Sequence, residues 1–187
     1  GPINLDAVIE VIDFPCRSNG EFAAPPQLNT FSVVNIAEAP HHWQQAAELS
    51  VREWKEIFSD DSVQTYLDLY GLTGSYFGRF AETHIAVNAD DELIGMATLV
   101  DDDELPGATE PGPWLAAVLT LPEHRSLGVA SALIHRIIQR AHTLGHANLY
   151  LYTSDQQEWY AKKGWIPARE TELNGIAHTV MRLPLQI

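Results

Sequence analysis

Hydrophobic positions along the chain fall into two periods. Phe31 to Ile36 alternates apolar and polar residues, and Thr83 to Val87 and Glu92 to Val100 are rich in β-formers, with the turn residues Asn88-Ala89-Asp90-Asp91 between them. These segments predict a first strand and an antiparallel hairpin. Trp114 to Leu121 is an apolar run that breaks at Pro122, and Ala147 to Thr153 and Thr179 to Leu185 predict two later strands. The other period is helical. From about Pro40 to Phe58, Trp43, Ala47, Val51, Trp54 and Phe58 recur at spacings of three and four, and a proline in the first turn suits a helix start. A shorter helix is expected after Asp60-Asp61-Ser62, carrying Val63, Tyr66, Leu67 and Tyr70 and stopped by Gly71.

The plainest stripe comes after the central apolar run. Val129, Leu133, Ile137, Ala141 and Leu144 share a face, with Ala130, Ile134 and Ile138 beside them and Arg136, Gln139 and Arg140 opposite. One face of this helix must pack on a sheet. Between strand and helix lies Arg125-Ser-Leu-Gly-Val-Ala130, a turn with small residues at Gly128 and Ala130. The first N–H groups of a helix have no acceptor within it, and its dipole makes that end positive, so such a turn can hold a phosphate without a cluster of lysines. The same pattern serves equally for an ordinary strand-turn-helix with small residues used for packing.

Composition narrows the classes. The chain has 187 residues, enough for one domain with its own core. Eleven Lys and Arg against 25 Asp and Glu give a formal net charge of −14, which argues against a nucleic-acid partner held through phosphates. It would attract a cationic ligand, although acidity also serves solubility. Cys16 is the only cysteine, so no intramolecular disulfide can form. No apolar run reaches the ~20 residues that cross a bilayer, and the N-terminus does not read as a secretory leader, so the expectation is a cytoplasmic protein without a membrane partner. Residues 1–30 contain Pro15, Ser18-Asn19-Gly20 and Pro25-Pro26 and read as an extension to a domain spanning 31–187. No metal site is expected: His41 and His42 are adjacent, and no H-x-x-x-H pattern occurs.

Three motifs in order carry a resemblance. Leu121-Pro-Glu-His-Arg-Ser-Leu-Gly-Val-Ala-Ser-Ala-Leu133 after an apolar strand resembles the R/Q-x-x-G-x-G/A acyl-CoA motif of the GNAT superfamily of N-acetyltransferases. Tyr160-Ala-Lys-Lys-Gly164-Trp165 resembles that family's Y-x-x-x-G-F/W/Y ending, and Thr179 to Leu185 resembles its last strand. The resemblance spans roughly 31 to 185. It implies an α/β fold of the α+β type: a mixed, mostly antiparallel sheet of six or seven strands flanked by helices and splayed at the central strand. It also implies acetyl-CoA as co-substrate.

By the same resemblance, Val118, Leu119 and Thr120 would pair with the pantetheine arm. Arg125, Ser126, Leu127, Gly128, Val129, Ala130 and Ser131 would surround the pyrophosphate, mostly through backbone N–H. Ser126 stands where many relatives have glycine. Asp155, five residues before Tyr160, implies a shorter helix than in many relatives, in which Asp155 serves as cap and cofactor contact. Tyr160 takes the place of the proton-donating tyrosine, and a phenol of ordinary pKa near ~10 can protonate a departing thiolate. Tyr66, Tyr70, Tyr76 and Phe77 are candidate walls of the acceptor pocket, although aromatics at this spacing also serve as core. Asp101-Asp102-Asp103-Glu104 reads as a solvated loop or a selector of cationic acceptors. Glu82, His84, His178 and water remain open as the base.

The activity implied is acetyl transfer to the primary amine of a small, cationic molecule. Peptide N-terminal acetylation and acyl-CoA binding without turnover are the alternatives. Apolar edge surface is compatible with a homodimer.

Overall fold

The computed structural model describes residues 30–55, 58–71, 80–125 and 127–185. The expectations for residues 1–29, for Tyr76 and Phe77, and for Ser126 lie outside the described residues.

The order of elements is β1 (Phe31–Asn35), α1 (Trp43–Trp54), α2 (Val63–Gly71), β2 (Ala81–Asn88), β3 (Leu93–Val100), β4 (Trp114–Thr120), α3 (Val129–Thr143), β5 (Asn148–Thr153), α4 (Gln157–Lys162), β6 (Ile166–Leu173) and β7 (Ile176–Pro184). The strands form a seven-stranded sheet in the order β1-β2-β3-β4-β5-β7-β6, antiparallel except where β4 meets β5. This is the mixed, mostly antiparallel sheet that the hydrophobic pattern and the resemblance lead one to expect.

β3 and β4 are buried at every position, which places them at the centre with helices on both faces. On one face Ser50 of α1 and Tyr66 and Tyr70 of α2 meet Thr83, Met96 and Thr98. On the other lies α3, whose Val129, Ala130, Leu133, Ile134, Ile137 and Ala141 are buried. Each large apolar side chain removed from water here contributes ~1.5–3 kcal/mol against the entropy of ordering it.

Several boundaries move. Pro40–His42 forms a separate 3-10 turn, and α1 begins only at Trp43 and ends at Trp54, short of Phe58. Leu144 follows the last turn of α3 and is 42% exposed, so it is not part of the stripe. Gly145, at φ 90°, stops that helix as expected. The hairpin turn forms at Asn88–Glu92, with Asn88 Oδ1 accepting the N–H groups of Asp90 and Glu92.

The sequence reading does not locate β6 individually. Its alternating charges and Pro167 hide it, and as the edge strand it tolerates both. Asn174 and Gly175, both at positive φ, make the tight β6–β7 turn, and this Asn-Gly pair was the legible signal.

Gly95 marks the closest approach of sheet and helix. A Cβ there would sit 2.9 Å from both Leu119 O and Val129 Cγ1. Gly95→Ala must therefore shift β4 or α3, and should cost about 1–3 kcal/mol, read as a lower urea midpoint at unchanged slope. A midpoint equal to that of the parent would mean that the helix rides further from the sheet than described.

Candidate functional site

The site begins with a local irregularity in β4. Thr98 pairs with Ala116 and Met96 with Leu119, so Ala117 and Val118 stand opposite Ala97 alone. Ala117 takes a left-handed φ of 56°, the geometry of a β-bulge, which bends the strand. On its other edge β4 pairs with β5 through a single register position, Trp114 with Tyr150, next to the hydrogen bond from Tyr150 N–H to Pro113 O. Beyond Trp114 the two strands have no further register pair. Val118, Leu119 and Thr120 are thus buried residues with one strand edge unladdered. Buried backbone groups demand partners, so this edge is suited to a ligand with amide groups of its own.

The end of β4 leads directly to the turn expected to hold phosphate. Gly128 adopts φ 81°, a conformation that favours glycine, and no side chain caps the first turn of α3. Val129 and Ala130 face the sheet and are buried, Leu127 packs against the core, and Ser131 lines a cavity of about 240 Å³ shared with Trp159, Lys163 and Trp165 at α4. Arg125 turns back: its Nε donates to Thr120 O over 3.3 Å, so its side chain braces the strand end.

Among the described residues, the buried polar side-chain atoms with no hydrogen-bond partner include Thr120 Oγ1 and the hydroxyl of Tyr160. Tyr160 is fully buried, held edge-on between Trp159 at 4.9 Å and Trp165 at 5.5 Å. Burial, and secondarily the charge of Asp155, push its pKa up, so the phenol keeps its proton. Asp155 is not the helix cap. Gln156 stands at that position without a side-chain cap, Thr153 Oγ1 accepts the N–H groups of Asp155 and Gln156 in the turn before the helix, and the charge of Asp155 acts on Tyr160 through space.

The side on which the acceptor is expected lies across the sheet. Tyr66 and Tyr70 line a cavity of about 20 Å³ with Ser50, Thr83, Thr98 and the β4 residues Ala116 and Ala117. It has room for about one water. Burial pushes the Tyr70 phenol up to about 12 against the opposing hydrogen bond with Ser50. Burial raises Tyr66 as well, helped by Asp61, whose carboxylate accepts its hydroxyl at 3.1 Å, and by the charge of Glu104. The acidic loop is not wholly solvated: Asp103 is 1% exposed, and its carbonyl accepts from Tyr152.

Strand alternation separates the base candidates. Thr83 faces the cavity, so Glu82 and His84 face α3. Glu82 accepts His84 Nε2–H at 2.6 Å and binds Arg140 of α3 bidentately at 2.6 and 3.0 Å. Both residues are thereby removed from the acceptor side. His178 remains on it, with its ring edge-on to Tyr152 at 5.7 Å.

A model of the Acetyltransferase (GNAT) family matches residues 43–165, well over half of the chain. The chain belongs to the GNAT acetyltransferase family. It is accordingly an acyl-CoA-dependent N-acetyltransferase, and the family uses acetyl-CoA. No curated protein matches it in sequence. Solved structures share the fold. An aminoglycoside 6'-acetyltransferase type Ii is 19% identical with a TM-score of 0.62, covering 84% of this chain and 97% of that one. A GNAT-family acetyltransferase from Staphylococcus aureus is 16% identical with a TM-score of 0.58, covering 84% and 100%. The N-acetylglutamate synthase of Neisseria gonorrhoeae, complexed with coenzyme A and N-acetyl-glutamate, is 20% identical with a TM-score of 0.58, covering 84% of this chain and 35% of that one.

The Glu82 cluster gives a pH prediction for this acetyltransferase. Burial raises the Glu82 carboxyl, but the hydrogen bonds from His84 and Arg140 outweigh burial and hold it at about 2, below its ordinary 4.5. Its contribution to stability is full above pH 4.5 and is lost as pH falls towards 2. Urea midpoints measured through this window should fall in the parent, and Glu82→Gln should flatten that part of the profile; parallel profiles would assign the acid sensitivity to other carboxylates.

Proposed function

We propose that this protein moves the acetyl group of acetyl-CoA to the primary amine of a small, cationic acceptor by direct attack, with Tyr160 as general acid. The observation that carries the reading is the union of an unladdered, buried β4 edge with a buried phenol that has no protein partner. Acetyl-CoA supplies an activated acetyl thioester. The free β4 edge at Val118, Leu119 and Thr120 would bind its amide-bearing arm. The first-turn N–H groups after Gly128 would bind its pyrophosphate, with Leu127, Val129, Ala130 and Ser131 shaping that turn and Arg125 bracing it.

The chemistry needs a neutral amine, because ammonium has no lone pair. As the C–N bond forms and the C–S bond breaks, Tyr160 gives its proton to the departing sulfur. Its buried, protonated state at neutral pH suits that task. The amine's proton passes to water or His178, since Glu82 and His84 face α3. Asp155 tunes Tyr160 rather than touching the substrate.

Asp61 accepts the hydroxyl of Tyr66, which lines the small cavity, so this side carries negative charge. A second cationic group on the acceptor would be held there, and the overall charge of −14 favours its approach.

Free-thiol release from acetyl-CoA across diamines, monoamines, aminoglycosides, amino acids and N-terminal peptides tests the reading. Dications should be the better substrates. Preference for peptides would instead favour N-terminal acetylation, and silence with acetyl-CoA still raising the melting temperature would favour a binding module. Tyr160→Phe should lower kcat by ~10²–10⁴ while leaving acetyl-CoA affinity intact; an unchanged kcat removes Tyr160 from the chemistry. Gly128→Asp, which places bulk and negative charge at the phosphate turn, should abolish acetyl-CoA binding in calorimetry.

A further inference from the structure

The turn that opens α1 and the turn between β2 and β3 bring together three metal-ligating side chains that acetyl transfer does not use. Successive residues in a 3-10 turn leave the axis ~120° apart, which is why adjacent histidines read from sequence as poor co-ligands. In Pro40–His42 the rings nevertheless swing to one side, with centroids 4.2 Å apart and planes tilted by 40°. Both converge on one carboxylate. His41 Nε2 lies 2.9 Å from Asp91 Oδ2, and His42 Nε2 lies 3.0 Å from Asp91 Oδ1. The three donor groups lie within 4.8 Å of one another.

The cluster is held by backbone as well as by its own contacts. Asp91 sits at φ 61°, and its N–H donates to Asn88 O, within a turn whose neighbouring N–H groups are fixed by Asn88 Oδ1. His42 is 5% exposed, and its N–H donates to Ala39 O. His41 and Asp91 face solvent, with side chains 61% and 64% exposed, so an ion has a path in.

We propose that His41, His42 and Asp91 bind one divalent transition-metal ion of the zinc type, with water completing its coordination. Two imidazole nitrogens and a carboxylate oxygen suit zinc and its neighbours, whereas calcium and magnesium prefer oxygen throughout. Tetrahedral bonds of ~2.0–2.2 Å place ligand atoms ~3.3–3.5 Å apart. The two ring-to-carboxylate separations of 2.9 and 3.0 Å therefore widen by a few tenths of an ångström as the ion replaces the bridging hydrogens, and the donor atoms, all within 4.8 Å of one another, draw together around it. The bound ion clasps the segment entering α1 to the β2–β3 hairpin.

The test is calorimetric titration of Zn²⁺ alone into the chelator-treated full chain, with the melting temperature followed in parallel. One equivalent should bind and raise the melting temperature. The chain has eight histidines, so variants decide the location. His41→Ala and Asp91→Asn, both at exposed positions, should each weaken binding more than ~10-fold, and His142→Ala on α3 should leave it unchanged. No saturable uptake at micromolar Zn²⁺, or equal uptake by Asp91→Asn, overturns the site and leaves the cluster as an ion-paired tether. The readout is metal binding, so failure of the acetyl-transfer reading would not affect it.

Discussion

The parting of β4 from β5 is the constraint on which the rest of this molecule depends. A parallel pair at the centre of a sheet would normally be laddered along its length, because buried N–H and C=O groups left without partners are costly. Here a single register pair at Trp114 and Tyr150 holds the strands together. The bulge at Ala117 bends β4 away from its neighbour. Both arms of the sheet stay antiparallel and close-packed, so the irregularity is confined to the place where a ligand can supply the missing bonds. Gly95 keeps α3 pressed on β3 and β4 and thereby fixes where the helix N-terminus opens.

The sheet also acts as a partition. Along β2, Thr83 belongs to the cavity under α1 and α2, while Glu82 and His84 belong to the ion-paired layer under α3. A buried carboxylate bound bidentately by Arg140 and by a histidine is suited to registering α3 on the sheet. It is poorly suited to accepting a substrate proton, because its low pKa makes it a weak base. An open groove of about 780 Å³ between the end of α3 and the end of β7 is lined by neither Tyr160 nor the turn residues around Gly128, so volume alone does not point to the chemistry here.

Negative charge is likewise distributed with structural consequences. Asp101 accepts Phe80 N–H, Asp103 is buried, and Glu104 and Asp61 act on Tyr66. One acidic run thus ties the start of β2 and touches β5 through Tyr152. The exposed Asp91, at the opposite end of β2, gathers two histidines instead. The same residue type is a strut, an electrostatic wall or a candidate ligand according to burial and to what the backbone aims at it.

By itself the sequence determined the elements whose signals are local. The stripe from Val129 to Ala141, the stops at Gly145 and Gly164, and the hairpin turn after Asn88 follow from periodicity and from backbone preferences that act over a few residues. The order of three motifs was enough to indicate the family and to single out Tyr160 and Gly128. The edge strand β6 was obscured because Pro167 and alternating charge weaken a strand signal, although Asn174-Gly175 marked its turn. Only the tertiary structure decided which face of β2 each side chain occupies, that Asp103 is buried, and that His41, His42 and Asp91 meet. These facts depend on registers, a bulge and a turn that bring together residues as many as 58 positions apart, as with Glu82 and Arg140. Periodicity carries no record of such distances, because it reports which way a residue faces its own element and not what faces it from another.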